Sequence, residues 1–172
     1  MANIYLVGFM GAGKTATGRT VARRLGHTFV DLDEAIEKQL QLSILEIFET
    51  RGEDQFRSAE TEELERTTHQ SELVIATGGG AFSSSINQRM IRRSGGVSVF
   101  LDPPWEAISQ RLGEGDADRP KWVDERHARA LFLQRRSEYL IADIHLELEG
   151  GQSPTEVADK VCSALSEVQC AS

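Results

Sequence analysis

The 172-residue sequence predicts an α/β fold of three α/β/α layers on a mostly parallel sheet, and three observations carry that expectation. Five short apolar segments rich in β-formers alternate with longer stretches of helical period. Neither a Pro/Ser-rich linker nor an internal repeat breaks the alternation. The first apolar segment also runs straight into a glycine-rich loop that opens a helix. Strands that alternate with helices form parallel sheets covered on both faces. Ligands of such sheets bind at the carboxyl ends of the strands, so the chemistry is expected just after strands.

In chain order, strands are expected at 4–8, 28–32, 73–77, 97–101 and 144–148. A helix at 14–25 succeeds the glycine loop. Residues 33–71 read as a long helical insertion between the second and third strands, with helices near 34–40, 44–51 and 53–69. Helices near 85–94, 104–112, 125–141 and 154–167 complete the alternation, and 113–124 is a polar loop. Ser43 with Glu46 and Ser153 with Glu156 fit the capping box, in which side chains satisfy free backbone amides. Pro154 suits a first helical turn.

Composition narrows the class. At 40% apolar and 27% charged residues, the chain is neither disordered nor fibrous, and its length suits one domain over 1–172. No apolar run approaches the roughly 18 residues of a membrane helix. Met-Ala-Asn leads directly into the first strand, which argues against a secretory signal. Cys162 and Cys170 lack metal or redox spacing, the pattern of two reduced thiols in a cytoplasmic protein. A net charge of −8 argues against a general nucleic-acid or membrane-surface binder. That charge is uneven: 31–66 hold four basic and twelve acidic groups, whereas 111–136 hold seven basic and five acidic. A small anionic ligand could meet the second stretch despite the acidic whole.

Gly8-Phe9-Met10-Gly11-Ala12-Gly13-Lys14-Thr15 satisfies G-x-x-x-x-G-K-[ST] between a predicted strand and a predicted helix. The glycines let backbone N–H groups turn inward around phosphate oxygens, and the helix amino end adds positive potential. Lys14 can reach the β- and γ-phosphates, and the Thr15 hydroxyl can ligate Mg²⁺. Gly11-x-Gly13-x-x-Ala16 with Asp31 twenty residues on also fits a dinucleotide fingerprint. Lys14-Thr15 has no role in that reading, and the chain leaves little room for a separate substrate domain. A GTPase would show a base-reading Asn-Lys-x-Asp segment, which the sequence lacks.

Five segments beyond the loop suit a small anionic acceptor. Asp31-Leu32-Asp33 ends the second strand, where alternation would put both carboxylates on one side to hold Mg²⁺ through water and accept a hydroxyl proton. The plainer reading has Asp33 capping a helix and Asp31 solvated. Arg57 and Glu60 share a helix face, as a surface pair or as an oriented guanidinium gripping a carboxylate. Thr77-Gly78-Gly79-Gly80 comes after the third strand, and three glycines exceed what a simple turn needs. Arg119-Pro120 lies in the polar loop, where an arginine could close over the γ-phosphate. Arg135, four residues before Tyr139, could add a second cation for an acceptor carboxylate.

Together, GFMGAGKT, D-x-D at 31–33, F-R-x-x-E at 56–60, the glycines at 78–80, R-P at 119–120 and R-x-x-x-Y at 135–139 resemble shikimate kinase in order and spacing. The resemblance covers essentially residues 3–168. It implies a phosphate-loop kinase fold, a five-stranded parallel sheet in order 2-3-1-4-5 with a helical acceptor-binding region and a lid. It implies ATP-dependent phosphorylation of the shikimate 3-hydroxyl with Mg²⁺, on the route to aromatic amino acids. It implies Asp33 as base, with Lys14 and Arg119 as the other catalytic groups. Gly11, Ala12, Gly13, Lys14, Thr15, Ala16 and Arg119 would hold the nucleotide, with Arg111 and Pro154 near the adenine. Thr15, and Asp31 through water, would serve the metal. Arg57, Glu60, Gly79, Gly80 and Arg135 would join Asp33 around shikimate. The partners expected are shikimate and ATP, with neither nucleic acid nor membrane, for a cytoplasmic monomer. One departure is Lys121-Trp122, where the family usually continues with two leucines after Arg-Pro. The paired arginines also suit another hydroxy acid such as gluconate, and a non-catalytic nucleotide-binding module is the remaining alternative.

Overall fold

Buried on both faces, strand β1 (Ile4–Val7) is the middle of a five-stranded sheet in a computed structural model that describes residues 2–113 and 125–170. The other strands are β2 (Thr28–Asp31), β3 (Leu73–Ala76), β4 (Val97–Asp102) and β5 (Ile144–Glu147). They run in the order β2-β3-β1-β4-β5, and every neighbouring pair is parallel. This is the expected topology. Alternation sorts the side chains: Ile4 and Leu6 enter one hydrophobic layer, Tyr5 and Val7 the opposite one.

The helices are α1 (Lys14–Leu25), α2 (Leu32–Leu40), α3 (Ile44–Thr68), α4 (Ser85–Arg93), α5 (Trp105–Gly113), α6 (Glu125–Tyr139) and α7 (Pro154–Cys170). Val21 and Ala22 of α1 and Val157, Ala158 and Val161 of α7 cover the Ile4/Leu6 face. Leu64 of α3, Ile91 of α4, Ile108 of α5 and Phe132 and Tyr139 of α6 cover the other. A smaller core of Ile36, Ile47, Phe56 and Ala59 joins α2 to α3. No described helix is long and apolar enough to cross a membrane.

Three details depart from expectation. First, α2 starts at Leu32 because the Asp31 carboxylate accepts the amides of Asp33 and Glu34, at 3.1 and 3.5 Å. Second, the helices expected at 44–51 and 53–69 run together as α3, broken only at Gly52, whose φ of 81° lies in the left-handed region open to glycine. The Ser43–Glu46 capping box starts it as the sequence indicates. Third, a single 3₁₀ turn, Ala81–Ser83, succeeds the glycines and has no signal in hydrophobic period. The polar loop read at 113–124 lies outside the described residues from 114 onward.

Two buried polar clamps fix the sheet ends. The Asn3 amide donates to the carbonyls of Thr67 and Gln70 at 2.9 and 3.0 Å, and its oxygen accepts from the Leu73 amide at 3.0 Å. It thereby seats the end of α3 against the start of β3. At the end of β4, Asp102 accepts a two-pronged contact from Arg136 and a third from His145 Nε2 at 2.8 Å, tying α6 and β5 together. Asn3→Ala would strand buried backbone groups, each costing about 1–3 kcal/mol. A loss of about 2–3 kcal/mol in urea unfolding is expected, and a loss under about 0.5 kcal/mol would mean the clamp is dispensable.

Candidate active site

Register sets the stage. Leu6, Ala76 and Asp31 lie abreast in β1, β3 and β2. Two residues past each come Gly8, Gly78 and Asp33, so three chemically loaded segments leave the sheet at one level.

The loop after β1 turns through Gly8, Gly11 and Gly13 at φ values of 145, 76 and 89°, a path that other residues rarely adopt. It delivers the chain into α1, whose first-turn amides have no partners within the helix. Lys14 Nζ lies back along this loop and donates to the carbonyls of Gly8 and Phe9, both at 2.8 Å. Arg111 of α5 braces the loop from the other side, donating to the Gly11 carbonyl at 2.9 Å. The Thr15 hydroxyl donates to Asp31 Oδ2 at 2.7 Å. With its proton so engaged, that hydroxyl turns lone pairs outward, the orientation a hard cation requires.

Facing the loop is a wall of charged groups packed tightly against the glycines after β3. Glu60 is 1% exposed and accepts from Arg57 Nη1 at 2.7 Å, while Glu53 takes the other arm at 3.3 Å. A Cβ on Gly80 would collide with the Arg57 guanidinium. One on Gly78 would stand 2.5 Å from Glu60 Oε1 and 2.9 Å from Asp33 Oδ1. Only bare backbone lets the arginine and both carboxylates come this close. Arg135, buried on α6, donates to the Gly79 carbonyl at 2.8 Å. Tyr139 donates its hydroxyl to that same oxygen.

Burial pushes the Glu60 carboxyl above its usual range and Asp33 adds to this, against the pull of Arg57 and Arg135. Burial also works against the Arg57 charge, yet Glu60 and Glu53 together hold its pKa above the ordinary guanidinium range. The Tyr139 hydroxyl is raised by burial and stays protonated.

Loop and wall line one cavity of roughly 620 Å³. Of the site residues expected from the sequence, all but three line it. Ala12 is buried beside the loop, and Pro154 is exposed at the start of α7. Arg119, with Pro120, Lys121 and Trp122, lies outside the described residues. Asp31 and Asp33 do face one cavity, but not through strand alternation: Asp31 is the helix cap and Asp33 already sits in the first turn of α2. Among the described residues no group of three or more His, Cys, Asp or Glu side chains is placed to hold a metal by itself.

The sequence singles out the glycine run without a separate role for Gly78, whose bareness admits two carboxylates, and gives no sign of Glu53, the second partner of Arg57. Nor does it mark the apolar side of the cavity, Ile44 and Phe48. Gly78 was visible in the triple glycine, whereas Phe48 carries no local signal.

A glycine loop at the end of the central strand, opposite an arginine-lined pocket on a 2-3-1-4-5 parallel sheet, defines a phosphate-loop kinase. A family model described as shikimate kinase matches residues 10–166. A shikimate kinase of Persephonella marina is 40% identical over 94% of this chain and 97% of that protein. The structure of a shikimate kinase from Acinetobacter baumannii in complex with shikimate is similar at a TM-score of 0.90, with 37% identity over 97% of this chain and 94% of that one. The Aquifex aeolicus shikimate kinase gives a TM-score of 0.85 at 32% identity, over 99% of both chains. This chain belongs to the shikimate kinase family, and it is an enzyme.

The raised Glu60 pKa has a defined consequence for stability. A carboxyl that binds its proton more readily when folded stabilises fully below its unfolded value, near 4.5, and loses that contribution as pH rises through the folded value. Glu60→Gln lacks this titration. Urea midpoints of the variant are expected to gain on wild type as pH rises from about 4 to 8. A pH-independent difference would refute the assignment.

Proposed function

We propose that this enzyme transfers the γ-phosphoryl group of ATP to the 3-hydroxyl of shikimate, giving shikimate 3-phosphate and ADP. The observation that carries the reading is the shared cavity, in which the phosphate loop meets Asp33, Arg57 and Arg135. Membership in the family supplies the ring.

Each role comes from the chemistry of the group. Backbone amides of Gly11, Ala12 and Gly13, and of Lys14, Thr15 and Ala16 in the first turn of α1, cradle the phosphates. Lys14 exchanges its carbonyl partners for phosphate oxygens, its ammonium being already drawn onto the loop. Thr15 would hold Mg²⁺ directly and Asp31 through water, since Asp31 already takes the Thr15 proton. The ion, when bound, neutralises charge on the β- and γ-oxygens. Asp33 holds the acceptor hydroxyls and takes the proton of the attacking one at a carboxylate oxygen. Arg57 and Arg135 bind the acceptor carboxylate, and Glu60 keeps the Arg57 guanidinium in plane. Gly79 and Gly80 add backbone contacts. Arg111 and Pro154 flank the adenine, and Arg119 serves as the lid arginine.

One domain over 1–172 carries both pockets, with 33–71 as the acceptor-binding region and 113–124 as the lid. The enzyme acts as a cytoplasmic monomer. Its free Cys162 and Cys170 suit a reducing compartment.

A coupled ADP-release assay with shikimate, with and without Mg²⁺ and with gluconate as control acceptor, tests the reading. Turnover with shikimate alone is expected, and turnover with gluconate alone would overturn the acceptor. Asp33→Asn is expected to abolish turnover while ATP affinity holds, because the loop is untouched. Equal loss of ATP affinity would move Asp33 to the nucleotide site. Arg57→Ala should raise the shikimate KM roughly tenfold to a hundredfold, the worth of a charge-assisted pair. An unchanged KM would take Arg57 out of the acceptor site.

A further inference from the structure

Tyr139, the last residue of α6, meets the glycine run after β3 from the core side. A run of three glycines has wide conformational freedom and no side chains to restrain its peptide planes. The planes on either side are held locally: Ala81 N donates to the Gly78 carbonyl and Ser83 N to the Gly80 carbonyl, both at 3.1 Å. The peptide between them, Gly79–Gly80, is held from outside, by Arg135 and Tyr139 acting together on the Gly79 oxygen. Two donors on one carbonyl fill both of its lone-pair directions and fix the plane.

A trans peptide carries its C=O and N–H in opposite directions, and the described chain has no cis bond. Turning the Gly79 oxygen toward Tyr139 therefore turns the Gly80 N–H the opposite way. Tyr139 is 1% exposed, with its ring packed 5.2 Å from Phe100 of β4, on the core side of this peptide. Gly79 and Gly80 line the cavity, and Tyr139 does not. The Gly80 N–H accordingly points away from Tyr139 and the core, and Gly80 is itself part of the cavity lining.

We propose that Tyr139 is a positioning residue for the acceptor: its hydroxyl, sharing the Gly79 carbonyl with Arg135, aims the Gly80 amide at an acceptor oxygen. The inference rests on the acceptor reading proposed for this cavity. Phe100 positions the ring, the ring positions the carbonyl, and the carbonyl sets both the amide and the arm of Arg135 that shares it. Because burial keeps the hydroxyl protonated, this donor does not switch with pH in the ordinary range.

Tyr139→Phe keeps the ring and its packing and removes only the donor. The expected result is a shikimate KM raised about threefold to tenfold, the loss of about one neutral hydrogen bond, with the ATP KM within about twofold of wild type. An unchanged shikimate KM overturns the inference. So does an equal rise in both KM values or a general loss of structure, either of which would mark Tyr139 as a packing residue only. A ligand-free readout separates this inference from the acceptor reading: the Gly79 carbonyl ¹³C and Gly80 amide ¹⁵N resonances. Both are expected to move in Tyr139→Phe, since each reports hydrogen bonding at the Gly79 oxygen. If wild type fails to phosphorylate shikimate, the acceptor reading falls. Moved resonances then still uphold Tyr139 as the group that aims the peptide, and unmoved ones overturn that too.

Discussion

A carboxylate kept almost wholly out of water must be met by opposite charge, by hydrogen bonds or by a proton, and Glu60 is held by the first two. Arg57 reaches it at 2.7 Å from one turn earlier on α3. That contact fixes a guanidinium at the edge of the cavity instead of leaving it to solvent, where a single arginine side chain has many rotamers. The contact needs space directly beneath it, and the bare backbone of Gly78 and Gly80 provides it. An interaction between two side chains thus dictates the composition of a segment in another part of the chain. The three-glycine run is better understood as clearance for Arg57, Glu60 and Asp33 than as a flexible loop.

The sheet makes this possible by its register. Because β1, β2 and β3 end level, the phosphate loop, Asp33 and the glycines leave it side by side, and no long loop is needed to bring them together. The opposite layer, α1 against α7, adds only the amino end of α1 to the cavity. Meanwhile α6 is fastened twice: Arg136 to Asp102 at the end of β4, and its neighbour Arg135 to Gly79. Adjacent residues on one helix therefore grip the end of β4 and the glycine run after β3, so Arg135 cannot drift without breaking a buried contact.

Much of this was legible in the sequence, for particular reasons. The five strands, their parallel pairing and the phosphate loop come from hydrophobic period and from a motif whose glycines have a mechanical purpose. The grouping of Asp33, Arg57, Glu60 and Arg135 came from resemblance, since no local pattern says that residues 33, 57 and 135 meet. What the sequence could not show depends on capping and tertiary proximity. The D-x-D segment looked like strand, because alternation cannot reveal that the first aspartate would bond the next two amides and start a helix. Glu53 looked like one more charge in an acidic stretch, and only the path of α3 brings it to Arg57. Phe48 carries no signal of its own in the sequence, and it is core on one side and cavity wall on the other.

The corner at Gly52 gives α3 a shape that a straight rod could not have. An unbroken helix touches a hollow along a line, because its surface is convex everywhere. Bent at Gly52, α3 becomes a bracket whose two arms embrace the same volume. The earlier arm contributes Ile44 and Phe48, and the later one Phe56, Arg57 and Glu60. Phe48 and Phe56 meet across the angle with ring centres 4.8 Å apart, closing it from within. Concavity is thereby built from a single helix, whose earlier limb is greasy and whose later limb sets an ion pair beside an aromatic ring.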